Sequence, residues 1–100
     1  MANKDSELKP MKLLTLISEG IIEDKLLRDL RQQGITGYTA WDVHGEGHKG
    51  HRRQEWEVHN VRLEFLLSES LLTKILAFLK EKYLPYYAMT VWVQDVETLS

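Results

Sequence analysis

The chain predicts an α+β, ferredoxin-like βαββαβ domain: a four-stranded antiparallel sheet with two helices on one face. Three observations predict it. Four stretches of strand length are apolar or alternate at period two, two longer stretches repeat at helical spacing, and the order is strand, helix, strand, strand, helix, strand.

Residues 1–10 read as a flexible polar lead-in to a domain spanning 11–100. Met11–Ile17 is a nearly continuous apolar run and suits a buried central strand. From Ile21 the spacing becomes helical, with Ile22, Leu26, Leu27 and Leu30 on one side, Glu23 and Asp24 in the first turn, Arg28 and Arg31 toward the end, and Gly34 as the stop. Tyr38–Val43 reads as the second strand. In the third, Val61, Leu63 and Phe65 alternate with Asn60, Arg62 and Glu64. Leu72, Ile75, Leu76, Leu79 and Tyr83 mark the second helix, which Pro85 forbids from continuing, and Ala88–Gln94 supplies the last strand. Ser18, Ser68 and Ser70 fall at helix starts and read as caps. If Val91 and Val93 face the helices, Trp92 points to the uncovered face, and one register of the second strand brings Trp41 there too. An aromatic open face on so small a core predicts association between copies of the chain.

Composition excludes several classes. With 43% hydrophobic and 28% charged residues the chain is globular rather than disordered, and a formal charge of -2 gives no global attraction to nucleic acid. It holds no cysteine, which removes disulfides, thiolate catalysis and Cys-type zinc sites. No segment has the length and apolarity of a membrane span, and the first residues are too acidic and polar for a signal peptide, so a cytoplasmic protein is expected.

The chemistry concentrates where the second strand runs into a glycine-rich basic segment. Gly45, Gly47 and Gly50 allow backbone N–H groups to approach an anion, while Lys49, Arg52 and Arg53 supply charge, a combination suited to phosphate. On the residues alone, a solvated connector fits the segment as well. The pattern Gly-x-x-x-x-Gly-Lys-Ser/Thr of a P-loop is absent.

Gly34, Thr36, Gly37, Thr39, Asp42, Val43, Gly45, Gly47 and Gly50, in that spacing, resemble the strand-to-T-loop segment of PII signalling proteins. Arg52, Arg53, Trp56, the run Asn60–Glu64, and Tyr83, Tyr87 and Ala88 resemble the PII-like branch that contains the SbtB and carboxysome-associated PII proteins. The resemblance implies a homotrimer with ligand sites in the clefts between subunits. These would bind an adenine nucleotide (AMP, cyclic AMP, ADP or ATP), with Mg²⁺ and bicarbonate as further candidate ligands. A T-loop at about 44–57 would report the bound state to a partner such as a bicarbonate or other transporter, which would recruit the protein to the membrane. Thr39 then matches the strand residue near the adenine, and Gly45 and Gly47 the glycines at the base of the T-loop. Glu46 and His48 lie between and beside them, Lys49, Arg52 and Arg53 near the phosphates, and Tyr87, Ala88 and Met89 on the neighbouring wall. Glu46 beside the phosphates would disfavour added negative charge unless a cation is present, which favours AMP or ADP over ATP.

The departures from the pattern are specific. Lys49 stands where the branch has an arginine and gives a point charge instead of a planar fork. In main-line PII proteins the same position holds a glutamine that helps bind 2-oxoglutarate, so nitrogen sensing by that route is not expected. The uridylylated T-loop tyrosine, the glycine-rich ATP segment before the last strand, and the disulfide hairpin of some SbtB proteins have no counterpart.

Two other readings compete: an interaction module whose loop needs no ligand, and divalent-metal binding by His44, His48 and His51, a role that trimeric CutA proteins of the same topology suggest; His59 follows the loop. Their spacing matches no helical pair, and the plain alternative is a set of solvated loop histidines. No serine has a histidine and an acid in a recognisable arrangement, and Glu55 and Glu57, like Asp42 and Glu46, read as solvated loop charges, so catalysis is not expected.

Overall fold

The computed structural model describes residues 7–44 and 59–99. Strand β1 (Leu8–Glu19) leads through one 3-10 turn (Gly20–Ile22) into helix α1 (Glu23–Gln32). Strands β2 (Thr39–Val43) and β3 (Asn60–Leu67), helix α2 (Glu69–Lys82) and strand β4 (Met89–Leu99) follow. The four strands form one sheet in the order β2-β3-β1-β4, with every adjacent pair antiparallel. This is the expected ferredoxin-like arrangement.

β1 is central because it can be buried: Leu14, Thr15 and Leu16 are each fully inaccessible, between β3 on one side and β4 on the other. Leu14 and Leu16, with Val61, Leu63 and Phe65 of β3, line the face under the helices. α1 closes that face with Leu26, Leu27 and Leu30, and α2 with Leu72, Ile75 and Leu79. Each fully buried leucine of this layer contributes about 2 kcal/mol of transfer free energy relative to exposure.

Both outer strand limits differ from the periodicity reading. β1 starts at Leu8 rather than Met11, and β4 runs on to Leu99, because Leu8–Met11 pair with Val96–Leu99. Lys9, Pro10, Asp95 and Glu97 break the apolar pattern, yet these segments pair outside the core, where polar side chains cost nothing. Pro10 is tolerated because β3 pairs with β1 only from Lys12 onward, leaving that side of Pro10 without a strand neighbour among the described residues.

Ser68 caps α2 by accepting the Leu71 N–H at 3.2 Å, and Ser70 lies in the first turn beside it. Ser18 does not cap: it is buried near the end of β1 and donates to the Glu19 carbonyl at 3.2 Å, and the 3-10 turn has no side-chain cap. The expectation failed there because the strand extends two residues beyond Ile17. α1 ends at Gly34, whose φ of 116° lies in a region that side-chain-bearing residues avoid. That conformation directs the Ile35 N–H back to the Leu30 carbonyl at 3.1 Å and buries the Ile35 side chain. Gly34→Ala should therefore lower stability by about 1–2 kcal/mol, read as a reduced urea midpoint at unchanged slope. An unchanged midpoint would show that the turn relaxes without strain.

Candidate functional site

The first strand-turn of β2 borders a cleft of about 360 Å³ lined by Leu13, Thr36, Gly37, Tyr38, Thr39, Glu64, Phe65 and Leu66. Thr39 sits opposite Glu64 in the β2–β3 register, so a hydroxyl-bearing and an acidic residue both line this cleft. Tyr38 forms one wall, tilted against Phe65 at 6.5 Å and carrying the Arg31 guanidinium 5.6 Å from its ring centre. The cleft therefore offers aromatic and apolar surface with a few polar groups, the usual character of a small-molecule site.

The second predicted wall lies elsewhere. Tyr87 and Ala88 precede β4 and are half-buried, while Met89 opens that strand and is only 3% exposed, its side chain packed into the core. β2 and β4 form opposite edges of the sheet with β3 and β1 between them. At about 4.8 Å per strand the two edges stand roughly 14 Å apart, so one copy of the chain does not bring Thr39 and Tyr87 into one pocket.

A polar cluster fixes the Tyr87 wall. The buried Tyr83 donates its hydroxyl to Asp29, and Lys25 donates to Asp29 at 3.1 Å and to the Tyr83 oxygen at 3.2 Å. Tyr83 then stacks on Phe78 at 5.9 Å and on Tyr87 at 5.2 Å. The Tyr83 hydroxyl holds the Asp29 carboxyl below its ordinary value, with Lys25 adding to the effect. Burial pushes the Tyr83 phenol up, and hydrogen bonds to Tyr83 and Asp29 raise Lys25.

The face away from the helices carries Trp41, Arg62 and Trp92, as the alternation predicted. The Arg62 guanidinium lies 5.7 Å from the Trp41 ring and 5.4 Å from the Trp92 ring, and it donates to one Glu64 carboxylate oxygen at 2.9 and 3.2 Å. Periodicity gave the face of Arg62 but not its contacts with the two tryptophans and Glu64, which depend on cross-strand register. Thr15 is opposite both Glu64 and Trp92, and its buried Oγ1 has no hydrogen-bond partner among the described residues.

Gly45, Glu46, Gly47, His48, Lys49, His51, Arg52 and Arg53, together with nearly all of the proposed T-loop, lie outside the described residues. His44, at the end of β2, is exposed, and among the described residues no group of three or more His, Asp or Glu side chains is arranged to hold a metal. His59 meets the turn after β1: its carbonyl accepts the Gly20 N–H at 3.0 Å and its ring fills the space where a Gly20 Cβ would stand. No described helix is long and apolar enough to cross a membrane.

A sheet in this order with two helices on one face, and a sequence in which a glycine-rich basic segment follows β2, agree with a domain of the PII type. The chain belongs to the P-II family: the model for nitrogen regulatory protein P-II matches residues 11–100. Among solved structures, a PII-like signalling protein from Thermus thermophilus is 38% identical, with a TM-score of 0.78 and 93% of each chain covered. CPII, a nitrogen regulatory PII-like protein from Thiomonas intermedia solved with ADP, AMP and bicarbonate, is 23% identical, with a TM-score of 0.77 over 91% of this chain and 94% of that one. GlnK of B. subtilis is 19% identical, with a TM-score of 0.64 over 88% of this chain and 86% of that one. A search of curated proteins finds no match.

The Asp29 cluster gives a pH prediction. Its folded pKa is depressed, so the stability it contributes is present above about pH 3.8 and is lost as pH falls through the lower folded value. Asp29→Asn should be less stable than the parent at pH 7 and should lose less stability below pH 4, measured by urea unfolding across that range. Parallel acid profiles for the two proteins would remove Asp29 from this role.

Proposed function

We propose that this chain is a PII-like signalling protein that binds an adenine nucleotide in clefts between the subunits of a homotrimer and regulates a partner through its T-loop. The observation that carries this reading is the separation of the two predicted walls. Thr39 and its cleft lie at the β2 edge and Tyr87 near the β4 edge, so a site containing both requires two copies placed edge to edge. The exposed Trp41 and the aromatic open face supply a surface for that assembly.

The roles then divide by chemistry. Tyr38 and Leu66 provide surface for the base, Thr39 and Glu64 polar contacts, and Gly45 and Gly47 backbone N–H groups for phosphate. Glu46 and His48 stand beside those glycines, and Lys49, Arg52 and Arg53 hold the charge. Ala88 and Met89 contribute backbone at the second wall. Phosphate contacts from Lys49 and Arg52 fix the loop in one nucleotide state, presenting or hiding the surface around Trp56 to a partner. No bond is made or broken, so the protein acts by binding and not as an enzyme. The ADP, AMP and bicarbonate in the CPII structures support an adenine nucleotide as effector and bicarbonate as a second ligand. With a transporter of bicarbonate or another solute as its partner, the protein acts in the cytoplasm and is recruited to the membrane when that partner is engaged.

Calorimetric titration with ADP, with and without Mg²⁺, tests the reading. Micromolar binding near one nucleotide per subunit is expected, and absence of binding in both conditions would overturn it. Arg52→Ala should weaken AMP, ADP and ATP alike by about ten-fold or more while leaving thermal unfolding unchanged. Unaltered ADP affinity would exclude Arg52 from the site.

A further inference from the structure

Glu64 belongs to two places at once. Glu64 lines the cleft beside Thr39, and one of its carboxylate oxygens, Oε2, accepts both hydrogen bonds from Arg62. The arginine is itself restrained. Its guanidinium lies within 6 Å of the rings of Trp41 on β2 and Trp92 on β4, contacts that reach across β1 from one sheet edge toward the other. A long side chain held on two aromatic faces has surrendered its rotamer freedom before any ligand arrives.

We propose that Arg62 is a positioning residue for ligand binding: clamped between Trp41 and Trp92, it holds the Glu64 carboxylate by one oxygen and leaves the other, Oε1, directed to a hydrogen-bond donor of a ligand in the cleft. This deepens the nucleotide reading above and rests on it. A nucleotide offers two donors of suitable chemistry, the exocyclic amine of its base and the hydroxyls of its ribose; both suit an ionised carboxylate that accepts only. Without Arg62, Glu64 is free to take other rotamers, and fixing it then becomes a cost of binding. The arrangement also connects two parts of the molecule. Trp41 and Trp92 lie on the uncovered sheet face, so a copy of the chain packed there would further immobilise Arg62 and, through it, the carboxylate in the cleft.

The test is a double-mutant cycle on ADP affinity by calorimetry, with Glu64→Ala, Arg62→Met and the pair, each checked for oligomeric mass by light scattering. Glu64→Ala is expected to weaken ADP by about ten-fold or more, and Arg62→Met by a smaller factor. In the Glu64→Ala background Arg62→Met should add nothing, because its effect passes through the carboxylate. Additive losses would mean that Arg62 acts only on the fold or assembly, and unchanged affinity in both single variants would remove the pair from the site; either result overturns the proposal. If Arg62→Met alters the mass, Arg62→Lys serves in its place: it keeps the charge but not the two-pronged contact, and should lose part of the affinity at parental mass. In the parent protein, inosine diphosphate, which has a carbonyl in place of the amine, 2′-deoxy-ADP and 3′-deoxy-ADP identify the donor. Selective loss with one of them assigns it, and full affinity for all three overturns the contact. Failure of the parent to bind ADP would instead reject the nucleotide reading, and this proposal with it.

Discussion

Every element of this domain takes its position from β1. It is paired along both sides, and its alternate side chains serve opposite ends: Leu14 and Leu16 anchor the core under the helices, while Thr15 lies under the polar and aromatic face. The registers Thr15↔Glu64 and Thr15↔Trp92 set the row on which Glu64 and Trp92 stand, and Ile17↔Arg62 sets the next. A slip of one residue on either side of β1 would exchange the faces, burying Arg62 in the core and exposing Leu63. The burial of β1 therefore determines the chemistry of the open face and the cleft as well as the stability of the fold.

The two helices are tied to this sheet unequally. α1 is short, and beyond its three buried leucines it depends on the contact of Lys25 and Asp29 with Tyr83, a residue 54 positions beyond Asp29 in the chain. Through the rings of Phe78, Tyr83 and Tyr87 the same contact reaches the start of β4. The exposed pair Lys12–Asp95, by contrast, is a cross-strand ion pair at the surface at 2.7 Å and contributes little to stability.

Local pattern made much of this architecture legible. Period two in Asn60–Phe65, helical spacing in Leu72–Leu79 and the stop at Gly34 each have a direct physical cause, and each reappears in the structure. What was not legible depends on partners distant in the chain. Leu8–Pro10 look like a polar lead-in until their pairing with Glu97–Leu99 is known. Ser18 looks like a cap because nothing local says how far the strand extends. The Arg62 clamp joins β2, β3 and β4, and no single segment contains its signal. The glycines and cations after His44 were identified by composition and resemblance, and their chemistry follows from residue type alone.

Where Leu8–Met11 and Val96–Leu99 run on past the end of β3, the sheet narrows, among the described residues, to a two-stranded ribbon with an open margin along β1. Such a margin is ordinarily a template on which a foreign strand can add, and natural proteins blunt it with proline and lysine. Lys9 and Pro10 occupy that stretch, the one bringing charge and solvation, the other lacking the N–H that a new strand would have to meet. The two residues that obscured the strand in the sequence thus protect it in the fold, letting the ribbon extend without inviting fibrous growth.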